Sequence, residues 1–206
     1  MRLMAIAAVA GLLAAGVAAA PRAAAQDHRH KEMEAAAPPR GDSIYALAAS
    51  LVDQRGRPVG LDLFRGHSVL ITMFYATCPD ACPLLIADLQ RIERELSPRI
   101  RADLRVVLVS LDPERDTPDA LQALARARHV DESRWRLLRA PEDTVREIAA
   151  LLGIKYRRLP DGSFNHSSVI TLLDPHGVIL VRDEAVGGSH TVLLRSLRAA
   201  QSAPSR

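Results

Sequence analysis

The sequence predicts an α/β sandwich, and three observations carry that expectation. Val69-Leu70-Ile71-Thr72-Met73-Phe74 and Leu104-Arg105-Val106-Val107-Leu108-Val109-Ser110-Leu111 are nearly continuous apolar runs, as expected of strands covered on both faces. Each is followed by residues with helical apolar spacing: Leu85, Leu89, Ile92 and Leu96 after the first, Leu121, Leu124 and Ala125 after the second. Near the end, Ser167 to Leu173 and Val178-Ile179-Leu180-Val181 flank Asp174-Pro175-His176-Gly177 and read as a closing hairpin.

Taken from the start, Met1-Arg2 and the apolar run Leu3 to Ala20 lead into Ala-x-Ala sites at 18–20 and 23–25, the layout of a secretory signal peptide over residues 1–25. The run is about 18 residues, at the low edge of a membrane span, so a retained N-terminal anchor is the competing reading. No cysteine follows it, which argues against a lipid anchor. Residues 26–42 read as a flexible tether, polar and then Ala- and Pro-rich without apolar period. His28, His30 and Met33 within it could meet a soft metal ion, although such patches are more often plain linker.

The folded domain is expected over 43–200, with a tail at 201–206. Ile44 to Gly60 reads as an opening hairpin turning at Gly56, and Leu61 to His67 as a connection, with His67 a surface loop residue. The helix after the first strand ends at Ser97-Pro98. Thr117 can cap the next helix, with Pro118 at its first position. Trp135 to Leu138 is a short strand. Glu142 to Leu152 is a helix carrying Val145, Ile148 and Leu152 inward, closed by Gly153 in the left-handed conformation. Ile154 to Leu159 precedes a Pro160-Asp161-Gly162 turn, and the last helix runs from Thr191 to Ala200. The order strand–helix–strand–helix, hairpin, helix is that of a thioredoxin-like fold with an added N-terminal hairpin and a β-hairpin insertion.

Composition narrows the function classes. The isoelectric point of 9.2 comes almost wholly from arginine, since Lys31 and Lys155 are the only lysines, and the arginines are scattered among acids. Aromatic residues make up 3% of the chain, too few for a base-stacking platform, so nucleic-acid binding is disfavoured. Export would place the domain in the periplasm. There a lone cysteine pair is a disulfide, a redox pair or a metal site.

That pair, Cys78 and Cys82, sits where a buried strand hands over to a helix. Helix N-termini lower thiol pKa, so the position suits thiolate chemistry. Thioredoxin-type reductases separate their cysteines by two residues; here three intervene, which lets both sulfurs face a common centre. Two thiolates with one imidazole suit copper, whereas structural zinc wants four protein ligands. His166, just before the strand expected from Ser167, is the candidate third ligand, in a loop where a thioredoxin would carry a proline. His129, His176 and His190 read as surface residues at a helix end, a turn and a helix start.

Thr77-Cys78-Pro79-Asp80-Ala81-Cys82-Pro83, then Ser110-Leu111-Asp112-Pro113-Glu114-Arg115-Asp116-Thr117-Pro118, then His166-Ser167 resemble the Sco/SenC family over about residues 43–200. The resemblance implies a periplasm-facing domain that binds one copper ion through Cys78, Cys82 and His166. It implies delivery to the dinuclear copper site of cytochrome c oxidase, the acceptor being an oxidase subunit or another periplasmic copper protein. Asp80, Pro83 and Asp112 would then support the site or face the partner rather than bind the metal. Such a protein is not an enzyme. Two other readings stand beside it: a thiol-disulfide oxidoreductase using Cys78 and Cys82 on a copper-protein partner, and a peroxiredoxin-like peroxidase with Cys78 as nucleophile, which the spacing and Pro83 fit poorly.

Overall fold

A computed structural model describes residues 43–79 and 81–200. The expected signal segment, the tether with His28, His30 and Met33, Asp80 and the tail lie outside the described residues. Chain order runs β1 (Leu51–Asp53), β2 (Pro58–Val59), β3 (Val69–Phe74), α1 (Ala81–Glu95), α2 (Pro98–Asp103), β4 (Arg105–Ser110), α3 (Pro118–Ala127), β5 (Trp135–Arg139) and α4 (Glu142–Leu152). It continues through β6 (Tyr156–Arg158), β7 (Phe164–His166), β8 (Ile170–Leu173), β9 (Ile179–Asp183) and α5 (Thr191–Ala200). Short 3₁₀ turns occupy Ile44–Ala46 and Leu61–Phe64.

Seven strands form one sheet in the order β2-β1-β5-β4-β3-β8-β9. The parallel core is β3 against β4 and β4 against β5, with β1 and β8 added antiparallel on either side. All six residues of β3 are buried, as are five of six in β4, so these two strands read as unbroken apolar runs because both their faces are covered. Because β3 and β4 are parallel and in register from Val69↔Arg105 to Phe74↔Ser110, the cysteine loop after β3 and the Asp112–Asp116 loop after β4 leave the sheet at the same end. Ligand sites collect at this end of a parallel sheet.

The helices follow their sequence signals. Thr117 caps α3 through Ala120 N–H, and Pro118 occupies its first turn. Gly153 ends α4 at φ 73°, ψ 23°. Four expectations change. The opening segment is a 3₁₀ turn capped by Ser43 rather than strand, so only Leu51–Asp53 pairs with Pro58–Val59. Ser97 does not only end a helix; its hydroxyl accepts from Ile100 N–H and starts α2. The closing strand begins at Ile170 rather than Ser167. Ser167 is spent on the preceding hairpin, its N–H donating to Lys155 O at 2.9 Å and its Oγ accepting from Lys155 N–H at 3.0 Å.

The fourth change concerns His190, which is not a surface residue. It is 2% exposed and wedged between α1 and β9, with Nδ1 3.1 Å from Asp183 Oδ2 and Nε2 3.4 Å from Asp88 Oδ2. Asp88 also accepts from Arg91 at 2.8 Å and from Gly187 N–H. Carboxylates 95 positions apart in sequence seat this histidine, which is why its local context suggested the surface.

Thr72, fully buried in the middle of β3, donates its hydroxyl to Val169 O at 2.7 Å and fixes the chain where it returns to the sheet after His166. Thr72→Val keeps the shape but leaves that buried carbonyl without its donor. Urea denaturation should show a loss of about 1–3 kcal/mol with unchanged m-value.

Candidate metal centre

The chain leaves β3 at Phe74 and makes a turn closed by Cys78 N–H donating to Tyr75 O at 3.2 Å. Thr77 and Pro79 are exposed, whereas Cys78 and Cys82 are buried, at 9% and 3% exposure. The cysteines form no disulfide. Cys82 N–H points at Cys78 Sγ at 3.3 Å, and the two thiols lie in hydrogen-bonding contact. One free amide of the first turn of α1, that of Cys82, is therefore already aimed at sulfur, the arrangement that favours a thiolate. Burial works against it at Cys82, whose pKa is pushed far up, chiefly by desolvation and then by Cys78 and Asp116. A soft cation is the natural counter-charge for this pair, since it replaces both protons.

Two buried residues that local sequence reasoning passes over hold the loop. Asp116, fully buried, accepts from Ala76 N–H at 3.0 Å and from Ser110 Oγ at 2.6 Å, tying the turn after β3 to the end of β4. Desolvation raises its pKa, opposed by those donors. Tyr75, 5% exposed, bridges to the other half of the site. Its hydroxyl contacts the Cys78 thiol and the backbone of Phe164. Its ring lies 5.3 Å from Phe164 and 6.0 Å from His166, the latter edge-on at 77°. An aromatic before a cysteine pair is a weak signal alone. Its role emerges only once β7 is folded against it.

His166 ends β7 and is half-buried. It belongs to a strand of the β6–β7 hairpin and not to a loop before the closing strand, because Tyr156 pairs with it across the hairpin. Its Nδ1 lies 3.2 Å from Ser167 O. A carbonyl only accepts, so Nδ1 carries the proton and Nε2 keeps a lone pair. Burial lowers the pKa of the ring, opposed by that hydrogen bond, so the imidazole is neutral and competent as a ligand at neutral pH. Among the described residues no three Cys, His, Asp or Glu side chains converge as a ready-made metal cage. Tyr75 bridges the thiols to the imidazole.

The hairpin is pinned by arginines. Arg158 donates to Asp112 Oδ1 at 2.8 Å and Glu114 Oε2 at 2.9 Å, and its guanidinium stacks 5.3 Å over Phe164. From the other side Arg115 donates to Gly162 O at 2.9 Å and sits 3.6 Å from Asp112 Oδ2. Gly162 has φ 82°, a left-handed backbone that favours glycine at the hairpin's turn. Asp112 is fully buried and holds the hairpin rather than facing outward. Pro83 lies half-buried in the first turn of α1.

The SCO1/SenC family model matches residues 39–191. The chain belongs to the SCO1/SenC family. The mitochondrial SCO2 homologue of Mus musculus is 32% identical over 161 residues, covering 74% of this chain and 59% of that protein. Across four bacterial relatives the match spans 63–68% of their own length. A SCO1/SenC family lipoprotein from Bacillus anthracis has the same fold at TM-score 0.68 and 18% identity, over 74% of this chain and 92% of that one. Bradyrhizobium japonicum ScoI, solved with copper bound, aligns at TM-score 0.63 and 20% identity over 74% and 96%. The fold is therefore thioredoxin-like, and the Sco family is one of cytochrome c oxidase assembly proteins.

Two outcomes follow from the site. Asp116→Ala strands a buried amide and a buried hydroxyl, and should cost about 2–4 kcal/mol in denaturant unfolding. His166 has a folded pKa below its unfolded value near 6.5, so its contribution to stability is complete above that pH and is lost as pH falls toward the folded value. In thermal melts of metal-free protein, wild type should lose more stability than His166→Gln between pH 7 and pH 5.

Proposed function

We propose that this chain is a copper metallochaperone that takes up copper on Cys78, Cys82 and His166 and hands it to the dinuclear copper site of cytochrome c oxidase by ligand exchange. The observation that carries the reading is the donor set: two reduced thiols in contact, joined through Tyr75 to an imidazole whose Nε2 lone pair is available. Soft sulfur selects Cu(I), and the nitrogen lets Cu(II) bind as well. Three donors leave the metal with room for an incoming ligand, and exposed Thr77 and Pro79 place the thiol loop at the surface.

Loading is coupled to protons and to redox state. The buried thiols must lose protons on metal binding, so affinity rises with pH. Oxidation of the pair to a disulfide removes both sulfur ligands, so the same chemistry that would support thiol exchange on a partner switches copper binding off. The acceptor is an oxidase subunit or another periplasmic copper protein. Transfer exchanges the ion's ligands, with protons moving from the acceptor's donors, and turns over no substrate; in that sense the chain is not an enzyme.

Copper titration of the reduced domain, followed by visible absorption, should saturate at one ion per chain. His166→Ala should weaken Cu(II) by more than the roughly 10–100-fold that losing an outer partner costs, while Cu(I) binding through the thiols persists. Unchanged Cu(II) affinity in that variant overturns the ligand set.

A further inference from the structure

The β6–β7 hairpin that carries His166 has two chemically different faces. Side chains alternate along a strand, and the register Tyr156↔His166, Arg157↔Asn165, Arg158↔Phe164 puts Tyr156, Arg158, Phe164 and His166 on one side. That side is the inner one: Tyr156 packs 6.3 Å from Phe164, which in turn packs on Tyr75. Lys155, Arg157 and Asn165 alternate to the other side, and all three are exposed.

Several arginines of the fold are spent on carboxylates. Arg57 pairs with Asp53, Arg55 with Glu132, Arg91 with Asp88, Arg134 with Glu93 and Arg158 with Asp112. Among the described residues neither Lys155 nor Arg157 has a carboxylate within ion-pair distance. Within 154–167 there are three cations, Lys155, Arg157 and Arg158, against one carboxylate, Asp161. The strand that backs His166 thus presents positive charge that the fold itself does not use. At the thiols, the first turn of α1 leaves Leu84 60% exposed, an apolar side chain of the kind that sits at the centre of an interface with polar groups at its rim.

We propose that the outer face of the β6–β7 hairpin, through Lys155 and Arg157, docks a protein whose copper-accepting site is surrounded by carboxylates. The proposal rests on the copper-transfer reading above and names the partner's surface. Ligand exchange requires the acceptor's donors to reach the metal while the ion is still held, so a recognition element next to His166 orients the acceptor where the ion leaves. Charges of this kind act mainly on encounter, raising association rates by about 10–1,000-fold at low salt. An anionic membrane is the weaker occupant: lipid-reading clusters hold about 4–8 cations worth roughly 1 kcal/mol each, and this face offers two, with Glu114 and Asp161 exposed nearby.

The test uses two synthetic acceptors, a Cys-x-x-x-Cys peptide flanked by four glutamates and the same peptide flanked by four lysines. Wild type loaded with Cu(I) should transfer to the acidic peptide about tenfold faster at low salt. The preference should collapse at about 0.3 M salt and vanish in Lys155→Glu/Arg157→Glu. That double variant should load copper as wild type does, since neither residue is a ligand. Fluorescently tagged versions of both peptides, titrated onto metal-free protein, report docking even if the chain loads no copper, so failure of the copper reading and failure of the docking surface are told apart. Equal affinities and rates for the two peptides at low salt, or a preference unchanged in the double variant, overturn the proposal. Flotation with phosphatidylglycerol vesicles that depends on the two cations, without peptide preference, overturns it in favour of a membrane surface.

Discussion

Everything at the thiol end of this molecule depends on one buried carboxylate. Asp116 accepts from Ala76 N–H and from the hydroxyl of Ser110, and so binds the chain leaving β3 to the chain leaving β4. Leu111 N–H donating to Phe74 O at 2.7 Å extends the parallel ladder one step further. A carboxylate with no solvent exposure is costly unless its lone pairs are filled, and here the donors that fill them belong to the strand ends that must be aligned. The geometry of the cysteine turn is therefore set by a group that bonds the backbone of that turn and also bears on Cys82 through its charge.

The second buried aspartate does the opposite work. Asp112 collects arginines, Arg158 from the hairpin and Arg115 from its own loop, while its amide N–H donates to Ser110 Oγ at 2.9 Å. One hydroxyl, that of Ser110, thus serves both aspartates, donating to Asp116 and accepting from Asp112. The short segment between β4 and α3 ties the cysteine turn, through Asp116, and the β6–β7 hairpin, through Asp112, to one shared hydroxyl. Loss of either should be felt at both.

Much of this was legible in the chain. The apolar runs fixed β3 and β4, Thr117-Pro118 fixed the start of α3, and Gly153 fixed the end of α4, because each signal is local and each has one cheap structural solution. The cysteine spacing and the single histidine before Ser167 were also legible. What escaped were residues whose role comes from distant partners. Tyr75 looks like a strand end until Phe164 and His166 fold against it. Asp112 and Asp116 look like one polar loop, yet both are fully buried and serve different neighbours. His190 carries φ 48° and two carboxylate neighbours from α1 and β9, and nothing beside it in the chain announces either.

The β6–β7 pair forms its own two-stranded sheet, sharing no ladder with the seven-stranded one. Isolated hairpins are marginal in water, and this one is held by arginine contacts at its tip and by Ser167 and the Thr72–Val169 bond at its base. An element of that kind opens without unfolding the core, at a free-energy cost well below that of the whole domain. In the copper-transfer reading proposed above, the imidazole would then ride on an element able to move while the two sulfurs stay fixed at the end of the central sheet. Release of the imidazole would then follow the hairpin's own opening and not the stability of the fold, leaving the ion on the two thiols for an incoming ligand.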